Sequence, residues 1–132
     1  MSVPCEVAVK CVLPVVRAMI ARELMASHGL RQVEAAKLLG VSQPAISLYC
    51  RNIRGKAIDL ENDTDVKRLV TDMSELLMKG GSSHRDLIVM YCRVCRTIRA
   101  KGLLCKLHKT FDPLVDVDKC TLCVASKSVT CV

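Results

Sequence analysis

Cys92-Arg93-Val94-Cys95, Cys105 and Cys120-Thr121-Leu122-Cys123 place five thiols within 32 residues of a chain that carries nine cysteines in all. Thiolates paired at this spacing are the ligands of structural metals and of iron–sulfur clusters. Structural zinc ribbons separate their two pairs by about 15–20 residues, whereas 24 residues lie between Cys95 and Cys120. A cysteine-ligated iron–sulfur cluster accommodates such irregular spacing, and [4Fe–4S] is the favoured form; zinc is the alternative and a metal-free thiol or disulfide switch the third reading. The expected ligands are Cys92, Cys95, Cys105, Cys120 and Cys123. His108, in Cys105-Lys106-Leu107-His108, is a further candidate donor, although a lone histidine in a basic loop reads first as a surface residue. Cys5, Cys11 and Cys50 read as small core residues, and Cys131 is left unassigned. With few large apolar side chains, the tail needs a metal or cluster to supply its folding energy.

A second constellation lies upstream, in Gln32-Val33-Glu34-Ala35-Ala36-Lys37-Leu38-Leu39-Gly40-Val41-Ser42-Gln43-Pro44-Ala45-Ile46-Ser47-Leu48-Tyr49. It has the spacing of two short helices crossing tightly. Ala36 is small where the second helix passes over it, Gly40 can take the positive φ of the turn, and Val41 and Ile46 fill the space between, with Leu39 and Tyr49 completing a small core. Once Ala45, Ile46 and Tyr49 point inward, Ser42, Gln43, Pro44, Ser47, Leu48 and Arg51 point outward. That outer face suits the major groove. Gln43 can pair bidentately with adenine, Ser47 can bond several base edges, and Leu48 can pack on a thymine methyl. Gln32 at one helix start, with Arg51, Arg54 and Lys56 after the next, would hold phosphates.

The run from Gly29 to Ser47 resembles the helix-turn-helix of the Cro and lambda-repressor type, in particular its archaeal predicted regulators. The preceding helix is similar to the first helix of the archaeal thiamine-pathway regulators. The resemblance covers about residues 5–56 and implies a homodimeric protein that binds an operator in double-stranded DNA. The small-molecule domain of the thiamine regulators has no counterpart here, so their effector is not carried over.

The composition agrees with a nucleic-acid partner. Twenty Lys and Arg stand against 13 Asp and Glu, a net charge of +7, which favours an acidic partner. Single-stranded nucleic acids are bound by stacking bases on exposed rings, and only Tyr49, Tyr91 and Phe111 are aromatic, so duplex DNA is the better match. The N-terminal apolar stretch is broken by Lys10, Pro14 and Arg17, and no apolar run approaches the roughly 20 residues of a membrane span. A cytoplasmic protein without a membrane partner is expected, in which nine cysteines serve metal or redox chemistry rather than a disulfide framework.

The aliphatic, aromatic-poor sequence predicts an all-α fold, with a helix-turn-helix DNA-binding head, a helical linker and a small cysteine-rich metal- or cluster-binding tail. Helices are expected over 14–28, 31–39 and from the Ser42 cap to about Arg51. Residues 52–62 read as loop or linker. A helix capped by Thr64 runs to Lys79-Gly80-Gly81, and another, capped by Ser82 or Ser83, runs to Lys101 with Gly102 closing it; the rest reads as irregular. The domains follow as 1–58, 59–83 (linker or dimerisation helix) and 84–132. Between His84 and Lys109 seven cations (Arg85, Arg93, Arg96, Arg99, Lys101, Lys106 and Lys109) face one acid, Asp86; they offset a thiolate site, reach DNA phosphates or form a solvated face.

The parts predict a redox- or iron-responsive transcription regulator, not an enzyme, in which cluster loss changes the spacing of two heads and hence operator affinity. A helix-turn-helix regulator with structural zinc is the alternative. A CxxC thiol oxidoreductase is disfavoured because no strand pattern precedes either pair. An adaptor that binds other proteins through its helices would show no salt-dependent DNA affinity.

Overall fold

The computed structural model describes residues 3–80, 83–116, 118–120 and 123. The described residues are helical, with no strand among them. The chain opens on α1 (Pro4–Val7), passes through a π-helical turn at Ala8–Val12 and continues as α2 (Leu13–His28). The helix expected to begin at residue 14 therefore starts ten residues earlier. Pro14 explains both the expectation and the outcome. It has no N–H to bond the carbonyl of Lys10, so the backbone widens and the Leu13 N–H reaches Ala8 O, five residues back. The helix crosses the proline rather than beginning at it.

Gly29 ends α2 in the left-handed conformation, and α3 (Gln32–Leu39) and α4 (Gln43–Cys50) follow, joined through Gly40 at φ 67°. An L side chain is strained at that φ, and the tight turn between the helices depends on it. Val41 N–H bonds Ala36 O across 3.1 Å, and Ser42 caps α4 by accepting from Ala45 N–H across 3.2 Å.

Residues 51–62 form a loop, as expected, but one docked onto α2. Leu60 is fully buried and Ile58 packs against the core. Gly55 sits at φ 72° where a Cβ would lie 2.7 Å from Pro14 O and 2.8 Å from the Ala18 Cβ. Only glycine lets the loop lie this close to α2. Arg22 on α2 forms an ion pair with Glu61 and donates to Tyr49 O across 3.3 Å, so one side chain ties down both the loop and the end of α4.

Helix α5 (Thr64–Lys79) is capped by Asp63, one residue before the expected Thr64, because the Asp63 carboxylate accepts from both Asp65 N–H and Val66 N–H. Helix α6 (His84–Ala100) is capped by Ser83 in a reciprocal pair with Asp86; Ser82, the other cap considered, lies outside the described residues. After Gly102 the chain turns into a short α7 (Cys105–Phe111), where irregular structure was expected. Leu104, immediately before α7, is buried against the core, a tertiary contact that local pattern alone does not announce.

One hydrophobic cluster runs from Val7 on α1 through Ile20, Leu24, Ile46, Val66 and Met73 to Val94, Ile98 and Leu104. Helix α2 is its axis: α3 and α4 pack on it, α5 lies alongside it, α6 packs on α5, and α7 meets α1. The core is continuous across residues 58 and 83. None of the described helices is long and apolar enough to cross a membrane.

Candidate nucleic-acid interface and cysteine cluster

Helix α4 is positioned from below by Ala45, Ile46 and Tyr49, all buried, and Ala36 on α3 is buried where the helices meet. The opposite edge is open. Ser42, Gln43 and Pro44 are exposed, Ser47 and Leu48 are half-buried, and Arg51, Arg54 and Lys56 are exposed on the loop that follows. Gln32, at the start of α3, is half-buried and accepts a 2.6 Å hydrogen bond from Gln43 Nε2. The two side chains thus share one edge. Ser42 is partly committed as a helix cap, though its hydroxyl hydrogen remains available to donate. Lys56 lies at the rim of a groove formed with Arg22, Asn52 and Glu61. The base-edge and phosphate candidates therefore follow one another along α4 and into its exit loop, the order that a helix in a groove requires.

Two of the seven tail cations are engaged by other groups of the chain. Arg99 is 5% exposed, and Lys101 bonds the Asp63 carboxylate at 3.0 and 3.1 Å and also pairs with Asp65. Lys101 thereby fastens the end of α6 to the start of α5. Arg85, Arg93, Arg96, Lys106 and Lys109 are exposed.

The cysteines divide into two places. Cys105, Cys120 and Cys123 line one small cavity together with His108, Arg99, Leu104 and Val115. Arg99 Nε donates to Cys123 Sγ across 3.4 Å, and Cys95 and Cys5 lie close enough to act electrostatically on the same guanidinium. Burial works against the Arg99 charge, but the Cys123 contact, with Cys5 and Cys95 behind it, outweighs burial and holds the Arg99 pKa above its ordinary value. Burial, then the neighbouring Cys123 and Cys120, push the Cys105 thiol up.

Cys92 lies elsewhere. It lines a groove of about 550 Å³ with Leu13, Arg17, Leu38, Leu77 and Tyr91, so the first CxxC pair is split between two environments. Among the described residues no three His, Cys, Asp or Glu side chains stand close enough, as placed, to hold a metal ion. Of the cysteines read as core, Cys11 is buried, Cys5 is half-buried beside α7, and Cys50 is exposed, its Sγ 3.5 Å from Met25 Sδ. Cys131 lies outside the described residues. Arg99 was legible only as a member of a basic run. A cation recurring at i+4 from Cys95 on one helix face was the available signal for its role beside the thiols.

Residues 22–62 match a protein-family model described as helix-turn-helix. The matched segment runs from the second half of α2 through the docked loop and contains the α3–Gly40–α4 unit, a helix-turn-helix. No curated protein and no solved structure matches the chain.

Proposed function

We propose that this protein is a transcription regulator that binds a specific operator in duplex DNA as a homodimer, and that the state of its cysteine-bearing tail sets its operator affinity. The observation that carries the reading is the open edge of α4, where Gln43, Ser47 and Leu48 stand beside Gln32 and lead into Arg51 and Arg54. Buried Ala45, Ile46 and Tyr49 seat the helix on the core while its polar edge faces out, the arrangement used for base readout. Dimerisation follows from function, since one eight-residue helix reads too few base pairs for genomic specificity and two-fold operators supply two half-sites.

The tail is the sensing part in this reading. Cys105, Cys120 and Cys123 share one cavity, and the helix that leads to it, α6, packs on α5, which lies against α2 of the DNA-binding head. A cysteine-ligated metal centre, iron–sulfur or zinc, ordered by those thiols would therefore bias the position of α6 and α5 and through them the separation of paired heads. Selection of binding sites from a random duplex library tests the reading, followed by titration of the selected site at several salt concentrations. A recovered two-fold motif with a steep salt dependence is expected. Equal binding to all duplexes removes the sequence-specific reading.

A further inference from the structure

The groove beside Cys92 lies between the end of α3 and the first half of α6, with α2 and α5 contributing to its walls. Its volume of about 550 Å³ falls within the range of small-ligand sites, about 300–1,000 Å³. Leu38 from α3, Leu77 from α5 and Leu87 and Ile88 from α6 make the lining aliphatic, and Tyr91 adds an aromatic face. Ile88 is left 46% exposed in this concave surface, so an apolar occupant would remove it from water, which is favourable in proportion to the area covered.

Charge is the second observation. Arg17 and Lys37 line the groove, His84 adds an N–H donor, and among the described residues no Asp or Glu lines it. Arg17 is half-buried and lies over the face of Tyr91, 5.8 Å from the ring centre. None of the ion pairs among the described residues includes Arg17. The phenol is not its counter-ion, because burial, opposed by Arg17, pushes the Tyr91 hydroxyl above its ordinary value and keeps it neutral at pH 7. Glu34, one turn before Lys37 on α3, pairs with Arg31. A half-buried guanidinium among apolar walls is best satisfied by an anion. Arg17 already covers the Tyr91 ring, so the aliphatic walls suit a flexible chain better than a flat ring.

We infer that this groove binds a medium-chain alkyl carboxylate, its chain along Leu38, Leu77, Leu87 and Ile88 and its head group at Arg17 and Lys37. The inference goes beyond operator binding and does not depend on it. Leu38 and Gly40 belong to the helix-turn-helix and Leu87 and Ile88 to α6, so one occupant touches the α3–α4 head and the tail helix at once. A carboxylate that binds one placement of α6 against the head more tightly than another shifts operator affinity by that difference. No metal at the cysteines is needed for this coupling.

The test is calorimetric titration of the full-length protein with sodium decanoate below its micelle concentration, beside decan-1-ol, which has the same chain length without the charge. About one decanoate per chain should bind, with decan-1-ol weaker by about tenfold or more, the usual worth of a hydrogen bond to a charged group. Arg17→Met keeps an apolar stem and should lower decanoate affinity to that of decan-1-ol while leaving decan-1-ol unchanged, which also reports that the variant is folded. Ile88→Trp fills the groove from an exposed position and should abolish both. Decanoate should also slow alkylation of Cys92, followed by peptide mass mapping, and leave the exposed Cys50 unaffected. Equal affinity for decanoate and decan-1-ol, no saturable decanoate binding, or undiminished decanoate binding in either variant would each overturn the site. A dimer broken by Ile88→Trp in a protein that binds no decanoate would overturn it too, assigning the groove to a second copy of the chain. Operator titration with and without decanoate reads regulation separately, so failure of the DNA-binding reading leaves the site to be decided by calorimetry.

Discussion

Gln43 Nε2 donates to Gln32 Oε1 across 2.6 Å, joining the first residues of α4 and α3 at the edge proposed to meet DNA. The contact fixes the amide of Gln43, leaving its carbonyl oxygen and second N–H for a base edge. Gln43→Ala should therefore cost about 1–3 kcal/mol at one operator position with little change in non-specific binding. Gln32→Ala should weaken the same position by a smaller amount, since it frees the Gln43 rotamer. Strictly additive losses in the double variant, measured by titration of the selected operator, would show that the two side chains act separately.

Arg51 and Arg54 belong to the exit of α4 and are exposed. Alanine at either should weaken all duplexes alike and reduce the salt slope by about one unit. A loss confined to one base position would instead place that arginine in the groove.

Much of this edge was legible in the sequence because its determinants are local. Gly29, Gly40, the Ser42 cap and the small–large alternation of Ala36, Ala45 and Ile46 act within a few residues of one another, and each occupies the place its spacing demands. The tail was less legible because its determinants are not local. Cys92 and Cys95 differ by three residues, which on a helix leaves about 60° and 4.5 Å between them. That is enough to aim Cys92 into the groove beside Tyr91 and leave Cys95 near Arg99. No local pattern distinguishes these two outcomes. Likewise a charge count cannot separate the buried Arg99 and the engaged Lys101 from their exposed neighbours, and Gly55 looks like any loop glycine until α2 is packed beneath it.

Gly55 gives a direct test of that packing. Its φ of 72° and the 2.7 Å approach of a would-be Cβ to Pro14 O mean that Gly55→Ala must move the loop away from α2. A loss of roughly 1–3 kcal/mol is expected in urea denaturation, together with weaker DNA binding because Arg54 and Lys56 flank the position. Unchanged stability would mean that the loop does not rest on α2.

Asp63 joins the cap of α5 to the end of α6. The Val66 N–H, then Lys101 and the Asp65 N–H, hold its carboxyl below the usual carboxylate range against a contrary effect of burial. For a carboxyl lowered on folding, the contribution is complete above the unfolded pKa of about 4 and disappears as pH falls through the lower folded value. Asp63→Ala should therefore cost about 1 kcal/mol near neutrality as a lost cap. Thermal melts of the two proteins should converge in acid, and a difference that persists or grows there would rule out the ionised carboxylate as its source.

Arg99 is the residue through which the cysteine cavity meets the rest of the core. Its Nε lies 3.4 Å from Cys123 Sγ, and its helix carries Val94 and Ile98, both fully buried. Arg99→Met keeps much of the volume and removes the charge and the donor, while Arg99→Lys keeps the charge but not the planar N–H that faces the sulfur. If the guanidinium supports a metal-bound thiolate, Arg99→Met should weaken the ion by about 10–100-fold in competition with a calibrated chelator, the usual effect of losing an outer-shell partner. Arg99→Lys should fall between the two. The opposite ordering is equally informative, because a guanidinium buried beside neutral thiols is a cost that methionine relieves. In that case Arg99→Met should be more stable than the parent protein and bind metal no worse, and the thiols at this cavity would have no need of a cation.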